Sequence, residues 1–456
     1  MDSARKLRFV LVCMLLAAWA PGLKAAEVAE KLSLRPAHRS GEQSRVEIAL
    51  QVGGDVKLVS DGKPKNLPMS VVANIKYDEQ TLALNRSGLP NRSLRYYDEA
   101  RAVIKVDKGG EKPSLEPRHS LIAVDKSDSS PAVLYSPAGA LSREELDLIE
   151  VPGNTLVIDQ LLPAEPMGLG GSWKLKDQAL ADLLALEAVS WTDVEAMLAS
   201  VSDGVAHVSA AGNVSGAVGG VSTEIELKIK YRFDLKTRRI AYLALLIKEK
   251  RSVGHVGPGL DTVAKVIVTI QPITASEKLT AATLEQVPDK ITPELSQLSY
   301  ASQGGKFRFN HDRRWYLTSD DAKLSIWRML DRGELVAQCN MSALSGAKKP
   351  ITLAEFQRDV QTSLGKNFGQ FVKASQSTND AGYTVLRLVV HGSVSQLPIE
   401  WIYYLIHDDN GQGVSLAFTF EQDLAPRFAE ADRSLVSGLR MSEAASSTAA
   451  RPTTAK

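Results

Sequence analysis

Residues 222–233 restrict the possible folds more than any other part of this chain. Apolar and charged side chains alternate along this segment, so that one face carries Ile225, Leu227, Ile229, Tyr231 and Phe233 and the other carries Glu224, Glu226, Lys228, Lys230 and Arg232. A period of two is typical of a strand that is buried on one face only, as in an antiparallel sheet. Alternating segments on both sides of it predict one large curved sheet over residues 45–275.

Helices are predicted where a hydroxyl residue is followed three positions later by glutamate. In this capping box, both side chains accept hydrogen bonds from free N–H groups at the start of a helix. The matches are Ser142 with Glu145, Thr192 with Glu195, and Thr352 with Glu355. Leucines at helical spacing also mark residues 178–189. We therefore expect the α+β class: two domains, each an antiparallel β-sheet packed with helices.

Changes in composition predict the domain organisation. Prolines and a weak strand pattern mark a linker, and a run of small polar residues marks a disordered tail. The expected segments are a signal peptide (1–25), a flexible leader (26–44), an N-terminal domain with the large curved sheet (45–275), a linker (276–302), a C-terminal domain (303–442) and a tail (443–456).

The N-terminus has the three parts of a secretory signal peptide. Basic residues precede an apolar run over residues 9–20, Pro21 and Gly22 interrupt it, and a small residue, Ala25, offers a cleavage site. The apolar run is too short to cross a bilayer, which requires about 20 residues. We expect export to the periplasm or the exterior, with cleavage near Ala25 and no transmembrane segment in the mature chain.

Charge and cysteine content narrow the partners and the chemistry. The 54 basic and 53 acidic residues give a net charge of +1, so we expect no nucleic-acid partner. Cleavage would leave Cys339 as the single thiol, which excludes an internal disulfide. Cys339 shares a strand face with Ala337 and Met341, and we expect it to be buried and unreactive.

The sequence offers no catalytic signature. It has no nucleophile elbow, no phosphate-binding loop of the Walker type and no zinc-protease motif. The seven histidines are scattered, without the spacing that brings two of them onto one metal. We therefore expect no enzyme activity, no catalytic residues, no cofactor and no metal.

One charge cluster is a candidate binding surface. The hairpin over residues 224–251 is basic, and its candidate contact residues are Lys228, Lys230, Arg232, Arg238 and Arg239. Such a surface would bind an anionic envelope polymer or lipid headgroups. The alternative is a solvated face that only keeps the sheet soluble.

Residues 307–442 carry a recurring order of elements. Phe309 leads to Trp315 and Tyr316, a hairpin ends near Cys339, a helix follows at 353–364, and then come strands and a closing helix; the strands carry Gly382, Tyr383, Trp401, Tyr403 and Tyr404, and the helix carries Phe428, Asp432, Leu435 and Leu439. This order resembles the PsbP-like fold. The resemblance implies an α/β/α sandwich and a non-enzymatic accessory role.

The N-terminal region has a weaker resemblance. Its segment from Leu161 and Pro163 through Pro166 to Gly171 and Trp173 is similar to uncharacterised exported bacterial proteins. Its long amphipathic strands with internal helices loosely resemble the LolA-like lipoprotein carriers. That likeness implies a concave sheet that holds acyl chains.

These observations lead to one functional expectation and two alternatives. We expect an exported, non-catalytic binding or accessory protein of the cell envelope. Its N-terminal domain would bind a lipid-like ligand or an anionic polymer, and its C-terminal domain a protein partner. The alternatives are an envelope hydrolase whose site is assembled only in the fold, and a purely structural envelope component.

Overall fold

The structure is a computed structural model that describes residues 31–60, 62–127, 131–303, 305–344, 351–409 and 411–441. The predicted signal peptide and the tail lie outside the described residues. In chain order the strands are β1 (Gln43–Ser60), β2 (Lys63–Leu84), β3 (Pro90–Val106), β4 (Gly109–Glu111), β5 (Leu121–Asp125), β6 (Val133–Tyr135), β7 (Leu141–Ser142), β8 (Ser172–Lys174), β9 (Ala188–Thr192), β10 (Glu195–Ser202), β11 (Val205–Val218), β12 (Val221–Asp234), β13 (Arg239–Arg251), β14 (Gly259–Ile273), β15 (Leu298–Ala301), β16 (Phe307–His311), β17 (Trp315–Asp320), β18 (Ser325–Asp331), β19 (Glu334–Leu344), β20 (Phe368–Thr378), β21 (Thr384–Val394), β22 (Leu397–His407), β23 (Gly413–Glu421) and β24 (Arg440–Met441).

The helices are short. They are α1 (Arg143–Ile149), α2 (Asp177–Leu184), α3 (Ala281–Leu284), α4 (Leu353–Leu364), α5 (Ala425–Phe428) and α6 (Ala431–Ser437), with 3-10 turns at Pro117–His119, Ile158–Leu161, Gly365–Asn367 and Gln422–Leu424. No helix among the described residues has the length and apolar character needed to cross a membrane.

The expected α+β class is wrong, because the described residues are 56% strand and only 14% helix. One cause is the segment that begins at Thr192, where the second capping-box match predicted a helix. Thr192 instead ends β9, and Glu195 begins β10. Both strands pair with β11, so sheet pairing prevails over the local helix signal. The other two capping boxes are present, at the starts of α1 and α4.

The larger sheet contains thirteen strands, in the order β6-β5-β3-β2-β1-β14-β13-β12-β11-β10-β8, with β4 on β3 and β9 on β11. Its pairings are antiparallel. The alternation predicted for β12 is confirmed, since Ile225 to Phe233 are buried at every second position and the charged residues between them are exposed.

The inner face of this sheet is covered by the chain itself. Leucines and isoleucines of α1, α2 and the turn Ile158–Leu161 pack onto it in one core. Tyr231 of β12 donates a hydrogen bond to the backbone oxygen of Leu161 (3.0 Å), and Trp173 donates to the same oxygen (3.0 Å). The described residues therefore fill the concavity that a LolA-like carrier would leave for acyl chains.

Residues 31–42, which the sequence assigned to a flexible leader, run along the edge of this core. Leu32 pairs with Met167, and Leu34 is only 1% exposed. His38 lies between two carboxylates, with Nε2 2.6 Å from Asp159 and Nδ1 2.7 Å from Glu42. This imidazole joins the leader to the turn that covers the sheet.

The contacts of His38 predict a pH-dependent stability. Burial alone would lower the pKa of His38, but hydrogen bonds to Asp159 and Glu42 raise it to about 9. Because this folded-state pKa exceeds the unfolded value, the imidazolium stabilises the fold fully below pH ~6.5 and loses its effect as the pH rises toward 9. We expect a loss on the order of 2–3 kcal/mol over this window.

Chemical denaturation between pH 6 and pH 9.5 measures this loss. The variant His38→Gln should be less stable at the acidic end and should lack the pH dependence. The matched control is His255→Gln, at an exposed histidine, which should keep the wild-type profile. An unchanged pH profile in His38→Gln would contradict the assignment.

A second sheet has seven strands, in the order β17-β18-β19-β23-β22-β21-β20. Helix α4 packs on one face, where Val360 meets Leu388 and Trp401. The other face packs against α5, α6 and strand β16 around the fully buried Trp315 and Phe418. Cys339 lies in this core at 0% exposure, as its strand pattern predicted, and burial raises the pKa of its thiol.

A small four-stranded sheet, β24-β16-β15-β7, connects the two large sheets. Strand β7 comes directly before α1 and pairs in parallel with β15. The segment predicted as a linker, 276–302, contains α3 and β15, and its Leu279 is buried against the large sheet. The chain between the two sheets is thus held by sheet pairing and by packing.

Candidate functional site

Three of the five predicted contact residues share one surface. Lys228, Lys230 and Arg232 are exposed at alternate positions on the outer face of β12. Lys228 lies 3.7 Å from a carboxylate oxygen of Glu226, and the Arg232 guanidinium lies over the ring of Tyr242 at 4.6 Å. This face is open to solvent, and contacts with neighbouring side chains partly compensate its positive charges.

Arg238 and Arg239 are not part of that surface. Arg238 donates to the backbone oxygen of Arg35 (3.0 Å), and Arg239 donates to the backbone oxygen of Ala37 (2.7 Å) and to Glu42. Both guanidinium groups hold the leader against the turn between β12 and β13. The structure therefore gives the five residues two different environments.

A cleft of about 710 Å³ lies where the two large sheets approach each other. Helices α1 and α2, the turn between β11 and β12, the turn before β14 and residues 313–316 form its walls. Its volume lies within the range of about 300–1,000 Å³ that is typical of small-molecule sites. The apolar part of the lining includes Leu146, Val151, Leu186, Val218, Val221 and Val256.

Two carboxyl groups line this cleft, one on α1 and one on the residue that directly follows it. Asp147 and Glu150 are three positions apart, which puts them on one face of the helix. Both side chains are exposed, and within the described part of the chain neither forms a hydrogen bond or an ion pair. Desolvation by the cleft walls raises the pKa of both groups, although Arg143 opposes the shift at Asp147 and Arg313 opposes it at Glu150.

The opposite charges in the cleft are fixed by backbone contacts. Arg143 donates to the backbone oxygen of Arg313 (2.6 Å), and its guanidinium lies over the ring of Tyr316 at 4.7 Å. Arg313 donates to the backbone oxygens of Ser296 (2.6 Å) and Leu134. Desolvation lowers the pKa of Arg313. These contacts place two guanidinium groups near the carboxylates at fixed positions.

Two glycine turns set one wall of the cleft. Gly220, between β11 and β12, and Gly333, between β18 and β19, both have positive φ. A Cβ atom on Gly220 would lie 1.7 Å from the backbone oxygen of Gly333, so only glycine permits this approach. Glu187 accepts hydrogen bonds from the backbone N–H groups of Gly219 (3.0 Å) and Gly220 (3.1 Å).

One group of side chains has the composition of a metal site. Donor atoms of Glu116, His119 and Glu145 lie within 4.8 Å of one another. Glu145, however, already accepts hydrogen bonds from the backbone of Ser142 (2.9 Å) and Glu116 (3.0 Å), and lies 2.8 Å from Nδ1 of His119. The group therefore completes the capping box of α1 rather than presenting free ligands.

The structure also bears on the hydrolase alternative. In the described ranges, the histidines that contact a carboxylate are His38, His119 and His391, and none of them contacts a serine or cysteine. His207 lies 3.4 Å from the hydroxyl of Ser202, without a carboxylate partner among the described residues. The cleft offers carboxyl, guanidinium and phenol groups.

The sequence reasoning did not find the cleft. Arg143, Asp147 and Glu150 occur at i, i+4 and i+7, a spacing that indicates one polar stripe on a helix. That stripe has the same pattern as a solvated helix face, so it carries no distinguishing signal. Arg313 and Tyr316 are far away in sequence, and only the fold brings them to α1.

No protein-family model and no curated protein matches this chain. Among solved structures, a protein from Bacteroides thetaiotaomicron is 11% identical with a TM-score of 0.24, and covers 32% of this chain; this chain spans only 48% of its length. Cyanobacterial PsbP from Synechocystis is 11% identical with a TM-score of 0.26, over 32% of this chain and 92% of that one. The translocator domain of an autotransporter from Neisseria meningitidis is 8% identical with a TM-score of 0.12, over 84% of this chain and 88% of that one.

These similarities concern the fold alone. The PsbP match agrees with the predicted PsbP-like resemblance for about a third of the chain. The LolA-like resemblance is not supported by these comparisons. At TM-scores of 0.12 to 0.26, the matches carry no inference about function.

Proposed function

We propose that this chain is an exported, non-catalytic binding protein of the cell envelope, and that the cleft beside α1 takes a small amphipathic ligand. The observation that carries the proposal is the combination of an apolar lining with two unpaired carboxyl groups, Asp147 and Glu150. An apolar lining with a few well-placed polar groups is the usual construction of a ligand pocket.

The charges in the cleft indicate which ligand it would accept. Both carboxylates are open to the cleft without a hydrogen-bond partner among the described residues, and desolvation raises their pKa values. A ligand with amine or hydroxyl donors would supply the missing hydrogen bonds, and an apolar body would cover Leu146 and Val256. A lipid-like amine or polyol fits this description. Residues 303–442 would then dock a protein partner, as the PsbP-like resemblance implies.

The first experiment asks whether the chain carries a ligand. The protein without residues 1–25 is purified from its own envelope fraction and studied by native mass spectrometry, followed by organic extraction. We expect a bound amphipathic molecule. The affinity of the double variant Asp147→Asn/Glu150→Gln for this molecule should be 10- to 100-fold lower, since a hydrogen bond to a charged group contributes about 1.5–3 kcal/mol.

Stability measurements separate this loss from unfolding. A carboxyl group whose folded-state pKa is raised destabilises the fold increasingly as the pH rises from its unfolded-state pKa through its folded-state pKa. The double variant should therefore have an equal or higher melting temperature at pH 7. The matched control is Glu144→Gln, an exposed residue on the same helix, which should retain the ligand. An empty wild-type protein, or a double variant that keeps the ligand, would contradict the proposal.

A second candidate function, hydrolysis in the same cleft, is favoured by one observation. Two carboxyl groups with raised pKa values lie together, and a general acid requires a raised pKa. Glycoside hydrolases use such a pair. The same mass spectra distinguish the two functions, because a hydrolase would release cleaved products with time and Glu150→Gln would leave the substrate intact.

A further inference from the structure

The hairpin of β1 and β2 extends beyond the strands beside it. Strand β1 pairs with β14 as far as Lys57, opposite Gly259. Strand β2 pairs with β3 only from Met69, opposite Val106. We name residues 57–59 and 63–67 the hairpin arm; within it, residues 57–59 pair with residues 64–66, where the pairing with β14 and β3 ends. The arm therefore projects from the end of the large sheet.

The end of the arm carries exposed apolar side chains. Val59 is 61% exposed and Leu58 is 36% exposed. The strand register places Leu58 on the inner face of the sheet and Val59 on the opposite face. The half-buried Leu67 and Met69 continue the inner face. Because both faces of the projecting end carry an apolar side chain, both side chains could enter an apolar phase together if the end inserted into it.

Lysines surround these apolar side chains. Lys57, Lys63 and Lys65 belong to the arm, and Lys105 and Lys108 lie beside it on β3 and the following turn. Lys57 lies 3.4 Å from Asp261, but within the described ranges Lys63 and Lys65 form no ion pair. Over residues 57–67 the sequence has three lysines and one acidic residue, Asp61, which gives this segment a net charge of +2.

We propose that the hairpin arm docks on the surface of an anionic phospholipid bilayer. Lysines at the surface attract phosphate headgroups, while Leu58 and Val59 enter the boundary with the acyl chains, as in other interfacial anchors. The charge of Lys63 and Lys65 complements the lipid. A second copy of the chain is a poorer occupant, since the arm has eight residues and a standard protein interface uses about 20–30 residues a side.

Vesicle co-sedimentation tests this inference with the chain lacking residues 1–25. We expect binding to vesicles of phosphatidylglycerol and phosphatidylcholine, decreasing with salt, and no binding to phosphatidylcholine alone. The variant Lys63→Glu/Lys65→Glu should reduce partitioning at least tenfold. Leu58→Ser/Val59→Ser should reduce it several-fold. Circular dichroism should be unchanged, because all four residues are exposed.

The matched control is Lys228→Glu/Lys230→Glu, which reverses the same number of charges on the outer face of β12. We expect it to keep most of the wild-type binding. Equal losses in the control and arm variants would overturn the inference, since net charge alone would then explain the binding. Absence of wild-type binding to the vesicles would also overturn it. A cross-link from Val59 to an envelope protein instead of lipid would do the same. Neither result depends on whether the cleft binds a ligand.

Discussion

Replacing Arg95 with methionine should lower the free energy of unfolding by about 3–5 kcal/mol, because it leaves the charge of Glu79 buried without its partner. Arg95 is 2% exposed on β3, and its Nε donates to Glu79 (2.8 Å). Its Nη2 donates to Asn154 (2.6 Å) and Thr155 (2.9 Å). Its guanidinium also lies over the ring of Tyr77 at 4.9 Å.

Glu79 depends on this guanidinium for charge compensation. The same carboxylate oxygen accepts from Ser93 (2.8 Å) and Thr155 (2.9 Å), which are neutral donors. They satisfy its hydrogen bonds but not its charge. Neutralising the carboxylate in the double variant Glu79→Gln/Arg95→Met should therefore recover part of the lost stability.

Urea denaturation measures both variants. The matched control is Arg101→Met, further along β3. The side chain of Arg101 is 69% exposed and pairs with Glu99. Its effect should stay below about 1 kcal/mol, as for exposed ion pairs. If Arg95→Met were as mild as the control, the buried pair would not hold this part of the sheet.

This ion pair also bears on the cleft. Asn154 lines the cleft and follows Glu150 by four residues, so Arg95 fixes the chain that leaves α1. The sheet thereby holds the backbone that follows Glu150, while Arg143 and Arg313 are held near the carboxyl groups by their own backbone contacts. We expect Arg95→Met to weaken ligand binding even at temperatures where the variant stays folded.

The sequence predicted those features that depend on local pattern. The alternation of 222–233 predicted β12 and its buried face, and Ser142 with Glu145 predicted the start of α1. Thr192 with Glu195 failed because β11 offers pairing to both flanking segments, an interaction that a short window of sequence does not contain. The fold class failed for the same reason, since pairing extended the strands at the expense of helices.

The cleft depends on contacts between distant parts of the chain. Arg143 and Arg313 are 170 positions apart, and they meet because β7 pairs with β15. The attachment of the leader has a similar origin, because His38 meets Asp159, which is 121 positions away in sequence. Periodicity and capping motifs report on neighbours within a few residues, so they predicted elements and not this site.

Replacing Asp432 with alanine should cost about 3–5 kcal/mol in the second sheet, by the same reasoning as for Arg95. Asp432 of α6 is 0% exposed. It accepts hydrogen bonds from Arg387 of β21 (2.8 Å) and from Tyr404 of β22 (2.5 Å). Its removal would leave the Arg387 guanidinium without a counter-charge and α6 without its polar contact to the sheet.

Hydrogen exchange is the suitable measurement, because a chain with two large sheets need not unfold in one step. In Asp432→Ala, protection should fall in α6, β21 and β22, while β11 to β13 should keep wild-type protection. The control Asp423→Ala changes an exposed carboxylate close to α5 and should alter protection little. The double variant Arg387→Met/Asp432→Leu removes both charges and should regain much of the lost protection. If it remained as unprotected as Asp432→Ala, shape at position 432 rather than charge pairing would hold α6 on the sheet.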